Sequence, residues 1–577
     1  MAPLTKPRDV QVVYLDNDTT LLRSRTWDRL KFEVEYSLQK GTTANSFLIK
    51  GDKIALIDPP GESFSQNYIQ ALQERLDLKS LDYIIVQHFN PNRAATLKAL
   101  VALAPHVTIV CSKAAKLAMD KLWNEEPIAA NIQIINRGDL DLDLGSGHNL
   151  QFTLTPTPRW PDGICTYDPK SQILWTDKFF GAHVCGDQVF DEGWKFYSED
   201  RRYYYDCVHA AQPQQVLSAL KRLQDKPARF YSPAHGPLLR YGKQELTQLY
   251  HQWSEKQNRQ ELSVALIYAS AYGNTGTLAQ AIARGITKAG VAVELIDCEQ
   301  VDPSDIQARV EKCDGFILGS PTLAGHPPTQ VQTALGIVMS TAAKTKLAGV
   351  FGSFGWSGEA IDILESKLRD AGYNFGFEPI RVKFAPTDAI IQECKEAGID
   401  FAQKLKKNLK RRTPKRSVNV SSSDRTAQAV GRVVGSLCIV SAHRGELHSA
   451  MLASWVSQAT FNPPGITVAV AKDRAMESVT HTGDKFVLNI LPENSSLARQ
   501  FTKTFAPGED RFVGVETETA SNGGKILTGA LAYLECTVRD RLECGDHWMV
   551  YATVESGQLF DPSGVTAVHH RKTGSYY

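Results

Sequence analysis

A histidine ends the hydrophobic run in the stretch IIVQHFNPNRAATL, and this histidine is His88. A histidine at a strand end is a common position for a metal ligand, since functional side chains concentrate in the loops that follow strands. The next positions at ligand spacing hold Asn90, Asn92 and Arg93. A metal centre would use carboxylates and imidazoles there. The stretch could therefore belong to a metal centre or be the remains of one.

A second loop with chemical potential follows the apolar run VALIYAS and precedes an amphipathic helical pattern. Hydroxyl groups and backbone N–H groups at a helix N-terminus form a phosphate cradle, because the helix dipole and the unpaired amides both favour an anion. The loop lacks the lysine of a nucleoside triphosphate loop, which favours a phosphomonoester. The predicted cradle residues are Ser270, Tyr272, Gly273, Asn274 and Thr275.

Two later strand ends would complete this site at the carboxyl edge of a doubly wound sheet, where such sheets bind ligands. A flat ring could stack on Trp356, although a hydroxyl-rich turn beside an aromatic core residue is an alternative for each loop alone. The candidate residues are Ser320, Pro321, Thr322, Ser353, Phe354, Gly355, Trp356 and Ser357. Residues 263–402 resemble flavodoxin, which implies FMN held by the 270–275 loop, with its ring between the other two loops.

The C-terminal part resembles the NAD(P)H:flavin oxidoreductase barrels. The resemblance rests on a segment of small and hydroxyl residues before a double proline, and on a Gly-Asp-His turn farther on. It implies FMN or FAD contacts from Ser449, Ala450, Met451, Ser454, Ser457, Gln458 and Thr460, with Gly545, Asp546 and His547 near the site. Nicotinamide would need an apolar slot beside the flavin, which Trp455 or Trp548 could line, although such a tryptophan is more often simply a core residue.

The first part carries the segments NSFLIKGDKIALIDPP, VQHFNPNR, LTPTPRWPDG, LWTDKFFGAH and YSPAHGPL, in this order. This order resembles the metallo-β-lactamase-like domain of flavodiiron proteins. With the two later parts, the whole chain resembles a flavodiiron protein fused to a flavin reductase, as in oxygenic phototrophs. The resemblance implies electron transfer from NAD(P)H through FMN to a diiron site that reduces O2 to water, or NO in some members.

Most of the family's iron ligands are replaced in this chain. Two ligand positions keep histidine, His88 and His235, while five hold other residues: Asn90, Asn92, Arg93, Arg159 and Lys178. Amide oxygens are weak donors, and added positive charge opposes binding of iron by several kcal/mol even at an effective dielectric constant of about 20. We therefore expect iron to be absent or substoichiometric.

Two interpretations of the basic residues stay open. Arg93, Arg159 and Lys178 could form a cationic pocket for a small anion, or they could pair with nearby acids such as Asp162 or Asp177. A single metal held by Asp177 with the two histidines is a third arrangement, since two histidines and one carboxylate form a known iron site.

The bulk composition sets the class of protein. The 577 residues predict several domains, and 64 Lys plus Arg against 63 Asp plus Glu argue against nucleic acid or an anionic membrane as partner. No stretch has the roughly 18 apolar residues of a membrane span, no export signal is present, and the ten cysteines are scattered, so a cytoplasmic protein is expected.

The elements that must position these residues divide the chain into parts. Strands and helices alternate in residues 1–258 and in residues 263–402, whereas residues 425–577 are rich in β patterns. The basic and serine-rich run at 403–424 reads as a linker. The expected fold is multidomain α/β: a metallo-β-lactamase-like αββα domain, a flavodoxin-like doubly wound domain and a flavin-reductase-like β barrel.

The leading hypothesis is an NAD(P)H-dependent diflavin oxidoreductase, acting as a homodimer or with a ligand-complete paralogue whose irons its FMN would reduce. The alternative is a non-catalytic partner subunit whose basic pocket binds an anion. A hydrolase is disfavoured because its metal ligands would be the same replaced positions. The catalytic residues are unknown at this level.

Overall fold

The computed structural model describes residues 6–27, 40–123, 128, 130–136, 141–157, 159–412, 422–444, 447–493, 495–502, 505 and 507–571. The chain divides into two compact units, Met1–Gln260 and Glu261–Tyr577. Among the helices of these described ranges, none is long and apolar enough to cross a membrane.

The first unit is built on two sheets. The seven strands of the first sheet follow chain order: β1 (Asp9–Tyr14), β2 (Thr19–Thr26), β3 (Thr42–Lys50), β4 (Ile54–Ile57), β5 (Tyr83–Val86), β6 (Thr108–Ser112) and β7 (Asn131–Ile135). The second sheet has the order β12-β11-β10-β9-β8, from β8 (Asp141–Gly145), β9 (His148–Leu154), β10 (Ile164–Asp168), β11 (Ile173–Asp177) and β12 (Phe230–Pro233). Buried side chains of both sheets form one core, with Phe47 against Trp175 at a ring distance of 5.8 Å.

Helices cover the outer faces of both sheets, which gives the αββα layering expected from the sequence. One apolar cluster joins the first three helices to the first sheet, and another joins α5 and α6 to the second sheet. The helices are α1 (Ser65–Gln73), α2 (Pro91–Leu103), α3 (Lys113–Leu122), α4 (Ser198–Val208), α5 (Pro213–Leu223) and α6 (Lys243–Asn258).

The second unit begins with a parallel sheet in the order β14-β13-β15-β16-β17, with β18 also paired to β16. The chain order reverses beside β13, and this reversal opens a crevice at the carboxyl edge. The strands are β13 (Ser263–Tyr268), β14 (Ala292–Asp297), β15 (Gly315–Pro321), β16 (Leu347–Phe354), β17 (Asn374–Phe375) and β18 (Ile380–Lys383). Its helices are α7 (Asn274–Lys288), α8 (Pro303–Lys312), α9 (Thr329–Thr341), α10 (Glu359–Asp370) and α11 (Asp388–Arg412).

The segment predicted as a linker is only partly described. Residues 403–412 continue α11 instead of leaving it, because Leu405 is buried and Lys404 donates a hydrogen bond to the Gly376 carbonyl. Residues 413–421 lie outside the described residues. The chain continues with α12 (Ser422–Val430).

The C-terminal part of the second unit is an antiparallel sheet in the order β20-β19-β23-β26-β27-β22-β21. Its members are β19 (Cys438–Arg444), β20 (Leu447–Ala453), β21 (Val456–Phe461), β22 (Pro464–Ala471), β23 (Lys485–Ile490), β26 (Ala532–Cys544) and β27 (His547–Leu559). A small hairpin, β24 (Thr517–Thr519) with β25 (Lys525–Leu527), and helix α13 (Leu497–Phe501) accompany it. The first and last strands of the order, β20 and β21, are joined by Ser454 and Trp455 alone. The sheet must therefore curl until its two ends are close, as in a barrel-like sheet.

A buried ion cluster joins α7 to this C-terminal part. Lys288, the last residue of α7, pairs with Glu477 of a short 3-10 helix, and Nη2 of Arg541 lies 3.2 Å from the other oxygen of the same carboxylate. Burial opposes ionisation of Glu477, but the two cations outweigh it and hold the pKa of this carboxyl well below its ordinary value.

Candidate functional site

The His88 pocket, named after the first of the retained histidines, lies at strand ends of the first unit. Asp58 follows β4, His88 follows β5, Asp177 ends β11 and His235 follows β12. All four side chains are buried. Asp58 and Asp177 also have positive φ angles of 51° and 44°, which is uncommon backbone geometry outside glycine and often marks functional positions.

Of the replaced ligand positions, Asn90 caps a helix and Asn92 is exposed. The side-chain oxygen of Asn90 accepts a hydrogen bond from the backbone N–H of Arg93 at 3.0 Å, which makes Asn90 the N-cap of α2. Pro91 supplies the first residue of the same helix, a position where its missing N–H costs nothing. Asn92 is exposed. Asparagine at position 90 therefore has a helix-capping role in this structure.

Arg93 points into the pocket and binds its acids. Its Nη1 lies 3.0 Å from Asp58 Oδ1 and donates a second hydrogen bond to the His88 carbonyl at 2.9 Å, while Nη2 lies 3.8 Å from Asp177 Oδ1. Of the two interpretations that the sequence left open, pairing with acids holds for this arginine. The guanidinium supplies positive charge to two buried carboxylates where the family resemblance implies iron.

Burial raises the pKa of Asp177 to about 6, even though Lys178 and Arg93 favour its charged form. Asp58 adds to the rise because a second carboxylate nearby disfavours another negative charge. Asp58 is also held by Gln87, whose Nε2 donates to it at 2.8 Å. The two acids thus share one arginine, and Asp58 holds the shorter contact with it.

The retained histidine His88 is oriented by an acid. Its Nδ1 lies 2.9 Å from Asp162 Oδ1, and the other carboxylate oxygen accepts the backbone N–H of Phe89 at 2.7 Å. Burial opposes ionisation of Asp162, but His88 and the backbone hydrogen bonds outweigh it, so the pKa of this carboxyl lies below its ordinary value. Asp162 therefore serves as the partner of His88.

The two other basic residues lie around Trp160. The Arg159 guanidinium carbon is 4.9 Å from the Trp160 ring centroid, and Lys178 Nζ is 5.6 Å from a centroid of the same residue. Arg159 Nη1 also donates to the Cys207 carbonyl at 3.3 Å. Trp160 meets the His88 ring edge-on at 5.9 Å, so the three basic residues do surround one pocket.

Two histidines that sequence reasoning missed border the pocket. His183 stacks obliquely on His235 at 5.0 Å, and His235 Nδ1 lies 2.7 Å from the Thr43 carbonyl oxygen. His209 donates from Nε2 to the Lys178 carbonyl at 2.9 Å, and burial lowers its pKa to about 4. The only sequence signal for them was their position after strands and helices that end at the pocket.

The residues of the His88 pocket do not fit a diiron centre. An arginine lies between two of its acids, one replaced ligand caps a helix and another is exposed. Throughout the part of the chain that the structure describes, no three His, Cys, Asp or Glu side chains are grouped so that they could hold a metal ion. We derive no chemical step through iron in this chain; its iron content stays a prediction.

The phosphate cradle lies at the carboxyl edge of the parallel sheet. Gly273 has a φ of 82° and immediately precedes α7, a conformation that favours glycine, while Asn274 and Thr275 open the helix. Ser270 Oγ accepts the Gly276 N–H at 3.0 Å, which closes the loop onto the helix start. The loop is thereby shaped by its own polar groups, with Tyr272 exposed beside it.

The three predicted loops are brought together. Thr275 Oγ1 lies 2.8 Å from Ser353 Oγ, and the Thr322 N–H donates to the Ser353 carbonyl at 3.0 Å. Thr322 Oγ1 is buried and, within the described residues, has no hydrogen-bond partner. Because buried polar atoms are normally paired, this is expected where a bound ligand supplies the partner. Trp356 is 92% exposed beside this edge.

These residues fit FMN, which would supply one- and two-electron redox chemistry when bound. Among the candidates, Ser320 does not offer its hydroxyl to a ligand. It is fully buried, and its hydroxyl donates a hydrogen bond to the Pro321 carbonyl at 2.8 Å. Pro321 ends β15, Phe354 ends β16, and Gly355 and Ser357 lie in the following loop.

The reductase candidates divide between the two ends of the curled sheet. Ser449, Ala450 and Met451 lie in β20, and Ser457, Gln458 and Thr460 lie in β21, with Ser454 in the connection. Ser449 Oγ is buried and has no hydrogen-bond partner among the described residues, whereas Ser457 is exposed and Thr460 Oγ1 donates to the Pro463 carbonyl at 2.6 Å.

His547 comes to the same place from β27. Its ring lies 4.9 Å from the Trp455 ring, and its Nδ1 lies 2.8 Å from Asp546 Oδ1. Gly545 supplies the turn with a φ of 65°. Trp548, the other tryptophan considered for the apolar slot, is buried under Arg541, whose guanidinium carbon is 4.1 Å from its ring.

Three family models match successive parts of the chain. The ODP family beta lactamase model matches residues 42–236, the flavodoxin model residues 266–398 and the flavin reductase like domain model residues 430–575. Together they define a flavoprotein with a metallo-β-lactamase-like part, a flavodoxin part and a flavin reductase part.

Full-length relatives carry the same architecture. A protein named as diflavin flavoprotein A 6 from Nostoc sp. strain PCC 7120 is 62% identical over 99% of this chain and 100% of its own. One named as diflavin flavoprotein A 3 from Synechocystis sp. strain PCC 6803 is 62% identical over 100% of this chain and 96% of its own. The metal-soaked Flv1 flavodiiron core from Synechocystis sp. PCC6803 matches with a TM-score of 0.68 at 61% identity, covering 70% of this chain and 100% of that structure.

The chain belongs to the diflavin flavoprotein family, the flavodiiron proteins that carry a flavin reductase domain. The fold class expected from the sequence is confirmed, and the protein is a flavin-binding oxidoreductase.

Proposed function

We propose that this chain moves electrons from NAD(P)H to a reductase-site flavin, FMN or FAD, then to FMN in the flavodoxin part and toward O2, by supplying a partner subunit whose diiron ligands are complete. The observation that carries the proposal is the contrast between a metal-type pocket filled by Arg93 and a flavin-type sheet edge where the Thr322 hydroxyl is buried and has no hydrogen-bond partner among the described residues. A chain with intact flavin sites and an occupied metal pocket can donate electrons but needs another site for the terminal reaction.

In this proposal the cradle binds the FMN phosphate. The N-terminus of α7 favours a phosphate through its unpaired N–H groups, and the loop before it adds hydroxyls without a positively charged side chain. Trp356 and Tyr272 are exposed at the same edge and are the aromatic surfaces available to a flat ring. Residues 263–402 would be the FMN domain.

The C-terminal part, proposed as residues 425–577, would take the reduced nicotinamide. Ser449, Ser454 and His547 would contact the reductase flavin, while Trp455 would exclude water from the slot beside it. Residues 1–258 would then serve the assembly and not the reaction, with 403–424 linking the two flavin parts.

The decisive experiment compares the purified chain alone with the chain mixed with a ligand-complete member of the family. We expect two flavins and less than one iron per chain, NAD(P)H oxidation by the chain alone, and O2 consumption that rises at least tenfold on mixing. Near two irons per chain, or full O2 reduction without a partner, would contradict the proposal.

A matched variant isolates the FMN site. Asn274→Asp places a negative charge at the start of α7 and should weaken FMN binding by roughly tenfold or more, because it repels the phosphate. Asn258→Asp, at the end of α6 in the first unit, adds the same charge and should leave flavin content unchanged.

The second candidate is the non-catalytic, anion-binding subunit, which the placement of Arg159 and Lys178 around Trp160 favours. The same preparation separates the two: flavin-free protein that neither oxidises NAD(P)H nor stimulates a partner would support this candidate and exclude the first.

A further inference from the structure

Arg571, close to the C-terminus, has a buried guanidinium group. The residue is 9% exposed, and its Nη1 has no hydrogen-bond partner within the described residues. Its guanidinium carbon lies 4.9 Å from the Trp455 ring centroid. The candidate residues taken from the flavin reductase resemblance do not include this arginine. It lies more than a hundred positions after Trp455 in the sequence.

Close backbone packing places Arg571 beside the proposed flavin segment. The His569 N–H donates to the Gly435 carbonyl at 3.4 Å, and Val568 forms a bridge with Ser436. A Cβ on Gly435 would come within 2.3 Å of the Ser454 carbonyl oxygen, so only glycine allows this approach. The C-terminal segment is therefore held against the Ser454–Trp455 connection.

The arginine lies at a site that contains candidate flavin contacts. Trp455, against which the guanidinium packs, is also 4.9 Å from the His547 ring. Within the described residues, Nη1 of Arg571 is buried and has no partner for its N–H groups. A guanidinium stays charged at all relevant pH values, and a buried charge with an unused N–H is costly unless an anion completes it.

We propose that Arg571 binds a phosphate group of a ligand at the reductase site. Two ligands of the proposed function carry this chemistry: the flavin through its phosphate, and the nicotinamide dinucleotide through its pyrophosphate or 2′-phosphate. Arginine suits either because its paired N–H groups match two phosphate oxygens. The inference rests on the proposed function for the identity of these ligands, but not for the presence of an anion site.

The test uses fluorescence titration of the full-length chain, stripped of flavin, with FMN, riboflavin, NADPH and NADH. Arg571→Met keeps the length of the side chain and removes its charge. If the arginine binds the flavin phosphate, FMN affinity at the weaker of two binding phases should fall roughly ten- to a hundredfold, with riboflavin affinity unchanged. If it binds the 2′-phosphate, only NADPH affinity falls; if it binds the pyrophosphate, NADPH and NADH fall together.

Arg571→Lys should recover part of the lost affinity, because it restores the charge but not the two-pronged hydrogen bonding. Arg432→Met removes an exposed arginine of the same part and serves as the matched control. All four affinities staying within twofold of the wild type in a folded Arg571→Met chain would overturn the inference, as would equal losses in the control. A wild-type chain that oxidises neither nucleotide would refute the proposed function alone, since the FMN and riboflavin titrations still test Arg571.

Discussion

Two buried carboxylates, one in each unit, face two cations apiece and have opposite acidities. Asp177 faces Arg93 and Lys178, and burial raises its pKa to about 6. Glu477 faces Lys288 and Arg541, which overcome its burial and hold its pKa well below the ordinary value. Both side chains are almost completely removed from solvent, so burial alone does not explain the difference.

The difference comes from how the cations are shared. Glu477 has Lys288 on one oxygen and Arg541 at 3.2 Å on the other. Asp177 has Arg93 only at 3.8 Å, because the same guanidinium lies 3.0 Å from Asp58. Of these two buried acids, the one that shares its arginine with a second carboxylate is the one with the raised pKa.

The largest effect is expected from Glu477→Gln. Lys288 and Arg541 would lose their carboxylate and stay charged at neutral pH, so the free energy of unfolding of the second unit should fall by about 3–5 kcal/mol. Differential scanning calorimetry of the full chain measures this, with Glu378→Gln, an 89% exposed partner of Arg369, as the control. The native cluster should also weaken as the pH falls below about 4.5, because protonation of Glu477 removes the stability that its depressed pKa supplies.

Arg93→Met should destabilise the first unit by about 3 kcal/mol at pH 7, since Asp58 and Asp177 would keep burial without their guanidinium. The loss should be smaller at pH 5, because an acid whose pKa already lies near 6 can take up a proton instead. Urea unfolding at both pH values measures the two losses. Equal losses at pH 5 and pH 7 would contradict the role assigned to these acids.

Asp58→Asn should separate the two causes of the Asp177 shift. In the wild type, the raised pKa of Asp177 gives stability that is full below about pH 4 and is lost as the pH rises through about 6. Removing Asp58 frees Arg93 for Asp177, so this pKa should fall and the loss between pH 4 and 6 should shrink by roughly 1–2 kcal/mol. An unchanged pH profile would mean that burial alone sets the shift.

The smallest effect is expected where the same contacts are exposed. Arg381 binds Asp362 at 2.8 Å and Glu365 at 2.5 Å, as short as any contact in the His88 pocket, but its side chain is 37% exposed. Arg381→Met should cost less than about 1 kcal/mol, because water and salt screen the pair. A loss of unfolding free energy equal to that of Arg93→Met would contradict the expectation that burial makes the contacts of the His88 pocket more stabilising than exposed ones.

The sequence predicted the parts of the site that depend on local order. Strand ends followed by Ser270 or Ser353 place hydroxyls at one sheet edge whenever the sheet is doubly wound, and this much follows from the pattern. The structure brings these loops together through the Thr275–Ser353 contact. The assignment of the iron ligand positions rests on the family order of motifs and stays a prediction.

The pairings inside the His88 pocket could not be predicted, because they depend on tertiary distances. Asp58 stands in the apolar stretch ALIDPP with no feature that marks it as the partner of an arginine 35 positions later. The sequence pattern indicates a replaced ligand position at Asn90, although the proline after it is the usual signal of a helix start. No sequence pattern predicts a binding role for Arg571, since its position beside Trp455 depends on the close approach at Gly435.

The connection of Ser454 and Trp455 has one more consequence, for association between chains. β20 and β21 are the two end strands of the seven-stranded sheet, so each pairs along one side within this sheet, and the connection holds these two edges close together. Cleavage at this connection would let the two edges move apart and make them more accessible to other chains, for which open strand edges are templates. Proteolytic nicking there should turn a well-behaved protein into an aggregating one before much of its helical structure is lost.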